Sequence, residues 1–189
     1  MLPASVEDRD FILNGLKDGF KLSVIYGPHL PVDRDNYSSA FRLRSAVEKQ
    51  IKLEIELGND IQVTKIISAI EKPNNGGIRI IHNARLPTGI SLNSYTTDTS
   101  CSYMDLRHAL HLIKCNNYLG KVYLKSAYRS VKCHNSDHSL SSHQRTFTGD
   151  NLPTYMYHAK LPFGHARSPK ICQQLSSSVC SIMKCTYNV

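Results

Sequence analysis

The chain has 189 residues, 41% hydrophobic and 20% charged, which suits one ordinary domain or two small ones and excludes wholesale disorder, a collagen-like repeat and a disulfide-held miniprotein. No apolar run reaches the roughly 20 residues of a membrane span, and Met1 to Asp8 lacks the basic start and apolar stretch of a signal peptide, so an intracellular chain that is not secreted is expected. Charge is uneven: residues 1–60 carry a net −2, while residues 61–189 carry 15 Lys+Arg against 5 Asp+Glu, a net +10, and a basic body poor in acids expects a polyanion partner, most simply nucleic acid.

Asp10 to Phe20 places Ile12, Leu13, Leu16 and Phe20 near helical spacing, with a break at Gly19-Phe20. Lys21 to Tyr26 alternates like a short strand and stops at Gly27-Pro28. A long helix is expected from Ser39 to Leu57: Leu43, Val47, Ile51 and Ile55 form one apolar stripe, Glu48 and Lys52 form an i,i+4 pair, and Gly58 supplies a C-terminal cap. Lys65–Glu71 and Gly77–His82, joined by Lys72-Pro73-Asn74-Asn75-Gly76, read as a β-hairpin with Lys72 and Arg79 near its tip. Residues 83–101 read as an irregular loop.

A helix is expected to start near Ser102, capped by Asp105, with Leu106, Leu110 and Ile113 buried. Tyr118–Leu124 reads as a strand, Arg129–Cys133 as a further one, and His134–Ser142 as a polar loop. Arg145–Thr148 and Thr154–Ala159 read as a strand pair joined through Gly149-Asp150-Asn151. The last helix opens at Ser168-Pro169, a cap followed by proline at the first helical position, with Ile171, Leu175, Val179 and Ile182 as its stripe. This irregular order of helices and hairpins indicates an α+β fold. The six cysteines form no C-x-x-C and are expected to be reduced thiols. Cys133-His134, His138 and His143 lack the paired spacing of a structural zinc site, and a polar turn is expected instead.

Three segments, in order, carry a resemblance. They are Glu71 to Asn83 followed by Leu92-Asn93-Ser94-Tyr95; Lys121-Val122-Tyr123-Leu124-Lys125-Ser126-Ala127-Tyr128-Arg129; and Leu161-Pro162-Phe163-Gly164-His165-Ala166-Arg167-Ser168-Pro169 running on to Gln173. They resemble the fingers hairpin, motif A and motif B of retrotransposon reverse transcriptases, with the upstream Asp10–Phe20 stretch similar to that of the tyrosine-recombinase (DIRS-like) elements. The resemblance implies an N-terminal extension over 1–38, then fingers and an incomplete palm over 39–189. Lys72 and Arg79 would then contact the triphosphate, Arg79 through its planar fork. Tyr128 would lie beneath the nucleotide sugar. Phe163 and Gly164 would open motif B, glycine admitting the nucleotide and template, and Gln173 would face the template.

The departures from the family carry equal weight. The resemblance implies an Asp in motif A that binds Mg²⁺, and this chain has Tyr123 there; hard cations require carboxylate oxygen, which a phenol does not supply. The Asp after the fingers hairpin is Asn83, the motif B aromatic is Cys172, and no Tyr-x-Asp-Asp of motif C lies within the 189 residues. Thumb and ribonuclease H segments are also missing from them. The expectation is a truncated, catalytically inert reverse transcriptase fragment with no metal or other cofactor. It should bind nucleic acid weakly and without sequence preference. The alternative is a non-enzymatic basic nucleic-acid-binding module. A motif A strand without its motif C partner would be a palm edge, open to self-association.

Overall fold

The computed structural model describes residues 6–25, 37–61, 68–71, 78–81, 83–86 and 88–187, apart from 104, 106, 108, 109, 112, 117, 119 and 121. Helix α1, Val6–Asp18, begins before the expected Asp10 and stops at Gly19. Gly19 has φ +98°, and its N–H donates to the Gly15 carbonyl at 3.0 Å. A Cβ on Gly19 would stand 2.6 Å from the Cys133 carbonyl oxygen, so only glycine fits. Phe20 falls outside the helix, buried edge-on against Phe11 with centroids 5.3 Å apart. The strand expected over Lys21–Tyr26 reduces to isolated bridges, Phe20 to Cys133 and Val24 to Thr96. Between them the buried Leu22 donates its N–H to the Asp137 carboxylate at 2.6 Å.

The single helix expected over Ser39–Leu57 is two: α2, Ser38–Arg42, and α3, Arg44–Glu56, parted at Leu43, whose φ of −102° and ψ of 25° leave the helical range. Val47 and Ile51 are buried as the stripe requires, while Ile55 is exposed. Gly58 caps the end at φ +65°. Glu48 is held not by Lys52 but across the fold: it accepts from Arg44 at 2.9 Å and from the Thr148 N–H and hydroxyl at 3.1 and 3.0 Å. Lys52 lies over the Phe147 ring instead.

Strands β1 (Asp60–Ile61), β2 (Ser68–Glu71), β3 (Ile78–Ile81), β4 (Ser142–Arg145) and β5 (Thr154–His158) form two antiparallel sheets among the described residues. β2 and β3 are the expected hairpin, in register Glu71 to Ile78; its turn, with Lys72, lies outside the described residues. The other sheet has the order β1-β5-β4, with Ser142 opposite Tyr157 and Asp60 opposite His158. β4 thus ends at Arg145, where the expected strand Arg145–Thr148 would begin, and Thr146–Thr148 lie outside it. Asn135–Ser141 before it is a 3-10 turn, and Ala127–Ser130 is another, replacing the strand expected from Arg129. Only Lys132 and Cys133 of that stretch bridge to other segments.

Two core clusters follow. Val47, Ile51, Phe147 and Met156 close α3 onto the larger sheet. Phe20, Leu22, Cys133, Leu161 and Ile171 join the N-terminal segment to helix α4, Ser168–Tyr187. Ser168 lies in the first turn of α4 instead of capping it, and its buried hydroxyl donates to the Pro162 carbonyl at 2.9 Å. The α4 stripe is buried at Ile171 and half-buried at Leu175, then wet at Val179 and Ile182. No described helix is long and apolar enough to cross a membrane.

Two expectations fail at 102–124. Ser102 and Tyr103 are not helical; Arg107 and Leu110 are, but Leu110 and Ile113 are exposed, Leu106 lies outside the described residues, and Asp105 pairs with Arg107. Among the described residues, 118–124 form no strand: Tyr118, Val122 and Leu124 are exposed, and Tyr123 is 83% exposed. A strand needs a neighbour for its backbone N–H and C=O groups, and no described strand lies beside this one. The open palm edge is therefore corrected to an exposed segment outside either sheet.

Candidate functional site

Two irregular turns bring the site together. Ser126, at φ +54°, turns the chain into the Ala127–Ser130 turn and sets the half-buried Tyr128 against Phe163, with ring centroids 4.9 Å apart. Phe163 and Gly164 form the turn that leads into α4, with Gly164 at φ +100°. One amide fixes that turn from both sides: Asn93 donates through Nδ2 to the Gly164 carbonyl at 3.0 Å and accepts the Ala166 N–H on Oδ1 at 2.9 Å. Asn93 is itself anchored by its own N–H, which donates to the Ala84 carbonyl at 2.8 Å. Thr96 reaches the buried His165 ring at 3.3 Å.

Cations brace both ends of this surface. Arg129 is buried; it stands 3.4 Å from the Glu54 carboxylate, donates to His158 Nδ1 at 3.0 Å, and lies over the Phe163 ring at 5.9 Å. It thereby ties α3, β5 and the motif-like turn to one point. At the other end Asp98, in the left-handed region at φ +55°, binds Arg167 and Lys170 together. The Lys170 hydrogen bond, against some burial and with help from Arg167, holds the Asp98 carboxyl below the usual range. Burial pushes the Cys172 thiol up to about 11. Burial and then the neighbouring Cys172 and Cys101 raise the Tyr128 phenol as well, and a bond to Cys101 lifts Tyr103 to about 12. Cys172, Tyr128 and Tyr103 therefore keep their protons near pH 7.

The structure brings Tyr128 against Phe163, beside Gly164, a contact that the sequence reading did not specify. Gln173 is half-buried one turn into α4, and its side chain meets Ser177 at 3.5 Å along the same helix. Arg79 sits on β3, its backbone paired with Ile70; its side chain and all of Lys72 lie outside the described residues. Tyr123 stands apart in the exposed segment. Four residues to which the sequence pattern assigns no role hold the site: Asn93, Asp98, Arg129 and Arg167. The signal for Asn93 was its place in Leu92-Asn93-Ser94-Tyr95; for Asp98 it was rarity among the acids after residue 60. Among the described residues no group of three or more His, Cys, Asp or Glu side chains could hold a metal ion.

No protein-family model matches the chain, and neither does any curated protein. Solved structures do match its fold, 376 chains in all. One is the foamy viral protease-reverse transcriptase, solved in complex with double-stranded DNA. It matches 86% of this chain at 14% sequence identity and a TM-score of 0.61, and the chain spans 26% of that protein. At that identity the likeness is one of fold, and the mixed helices and small antiparallel sheets of this chain are built like a reverse transcriptase.

Proposed function

We propose that the chain is the fingers and partial palm of a retroelement reverse transcriptase of the DIRS-like kind, which contacts nucleic acid and does not transfer nucleotides. The observation that carries the reading is that Tyr123, which by the resemblance stands where motif A has its carboxylate, is a phenol and is exposed in a segment outside either sheet. In the family Mg²⁺ would supply the activation of the primer hydroxyl and the stabilisation of the leaving phosphate. The residues present do not fit such an ion. Asp98 is engaged by Arg167 and Lys170, Asp105 by Arg107, and Asp137 by the Leu22 N–H and Ser136. A carboxylate so engaged is a poor ligand for a further cation.

Binding has support of a different kind. The Tyr128–Phe163 pair offers aromatic surface to a sugar or base, and Gly164 leaves the backbone open to close approach. The +10 of residues 61–189 supplies phosphate attraction, and the matched foamy viral protein was solved with double-stranded DNA. The same features suit a non-enzymatic nucleic-acid-binding module, which differs in one measurable way: such a module prefers particular templates, whereas a fragment that has only lost catalysis binds all of them alike.

Primer extension with Mg²⁺ or Mn²⁺ tests the reading. No incorporation above a heat-killed control is expected, and Tyr123→Asp alone does not restore it. Template-dependent incorporation by the purified chain would sink the proposal. In anisotropy titrations with duplex and single strands, neutralising four to six phosphates gives a log K against log salt slope of roughly −3 to −5. Arg79→Ala and Lys125→Ala each flatten it by about one unit if they touch phosphate.

A further inference from the structure

The described residues enclose a cleft of about 430 Å³ between α1, the segment that follows it, His134 and Arg167. Tyr128, Phe163 and Gln173 do not line it, so it is separate from the surface above. Its size falls within the range of small-molecule sites. We infer that it binds a mononucleotide by its phosphate, either free or as the unpaired end of a strand.

Charge gives the first argument. Lys21 and Arg167 face the cleft against one acid, Asp18. Arg167 and Lys170 share the Asp98 carboxylate, so two cations meet one anion and the cluster keeps a net positive charge, with Arg167 as its member on the cleft wall. Arg167 is buried, and its Nε has no hydrogen-bond partner. A buried guanidinium nitrogen left without an acceptor is costly, and an anion in the cleft relieves it. His134 adds a donor. Its Nδ1 accepts the Ser136 N–H at 3.2 Å, which puts the proton of the neutral ring on Nε2.

Shape and the remaining walls give the class of ligand. Phe11, half-buried, adds apolar surface to the wall; its ring packs against Phe20, and the Arg167 guanidinium lies 5.6 Å from its centroid, so apolar surface and cation stand side by side. Gly15 and Phe20 pack closely in its floor: a Cβ on Gly15 would fall 2.1 Å from the Phe20 ring. Asp18 and Asn14 on α1 pair with hydroxyl or amine groups, as a ribose or base carries. Asp18 and Asn14 can meet groups of a nucleoside that the inorganic ion lacks, so the cleft favours a phosphate joined to a nucleoside over the inorganic ion.

The test uses the whole chain with adenosine 5′-monophosphate, adenosine and inorganic phosphate, by calorimetry and ligand-observed NMR. Saturable binding of the monophosphate is expected, with adenosine and phosphate each weaker by about tenfold, the loss of one group of contacts. Lys21 and Asn14 are exposed, so Lys21→Glu and Asn14→Trp keep the fold, which an unchanged thermal transition verifies. Each should weaken the monophosphate by at least about tenfold, the first by reversing a charge contact and the second by filling the cleft. Competition by a 5′-phosphorylated oligonucleotide, and none by its 5′-hydroxyl form, assigns the strand end; competition by neither assigns the free nucleotide. The inference is overturned if the monophosphate does not saturate at millimolar concentration, if phosphate binds as tightly, or if both cleft variants bind it like the parent chain.

Discussion

The motif-like segments at 121–125 and 161–173 have opposite fates. The second is locked: Leu161 and Ile171 are fully buried, Asn93 clasps the Gly164–Ala166 turn, and Asp98 gathers Arg167 and Lys170. The first lies open, with Val122, Tyr123 and Leu124 exposed and outside any sheet. The difference teaches which motifs carry their own structure. A helix satisfies its backbone internally, and a turn can be held by one well-placed side chain. A strand borrows its hydrogen bonds from another strand, so its pattern alone cannot hold it in place.

The comparison breaks most visibly in the core. Ile171→Ala should cost about 2–5 kcal/mol, because it empties a buried site beside Leu161 and Phe20; a loss of unfolding free energy below about 1 kcal/mol in a urea titration would mean that this cluster is not the core. Gly19→Ala is the next largest, at about 2–4 kcal/mol, combining a strained φ with a clash on the Cys133 carbonyl. Asn93→Ala removes a donor and an acceptor at once and should cost about 1–3 kcal/mol. Its fingerprint is local, since the Ala166 amide should exchange with solvent faster than the amides of β5.

The acid side of the site sharpens the same contrast through pH. The Asp98 carboxyl is held below its ordinary value by Lys170 and Arg167. The stability it contributes is therefore present above the unfolded aspartate value near pH 4 and is lost as pH falls through the lower folded value. Asp98 is nearly half exposed, so screening keeps the effect below about 1 kcal/mol. Asp98→Asn should lower the urea midpoint at pH 7 and flatten its fall between pH 5 and pH 3; an unchanged pH dependence would remove Asp98 from the lock. The smallest effect belongs to the open segment. Val122→Ser with Leu124→Ser should alter stability by no more than about 0.5 kcal/mol, as exposed positions do, while reducing light scattering if these side chains drive self-association. A loss above about 1 kcal/mol would show that the segment is packed in solution.

The sequence by itself determined the mixed class, the β2–β3 hairpin and the apolar faces at Val47–Ile51 and Ile171–Leu175. Those features follow from local rules: helical spacing and turn residues. Element ends were less legible. Leu43 parts what its stripe joins, β4 starts at Ser142, and Arg129 lies in a 3-10 turn, because each depends on a neighbour distant in the chain. Tertiary structure alone decided which charges pair. Glu48 sits four residues from Lys52, yet it is claimed by Arg44, Arg145 and Thr148. Asp98 is fixed by cations about seventy residues away. Hydrogen bonds and ion pairs act over a few ångströms of space, not along the chain, so the residues that brace this site could be named only once the fold had brought them together.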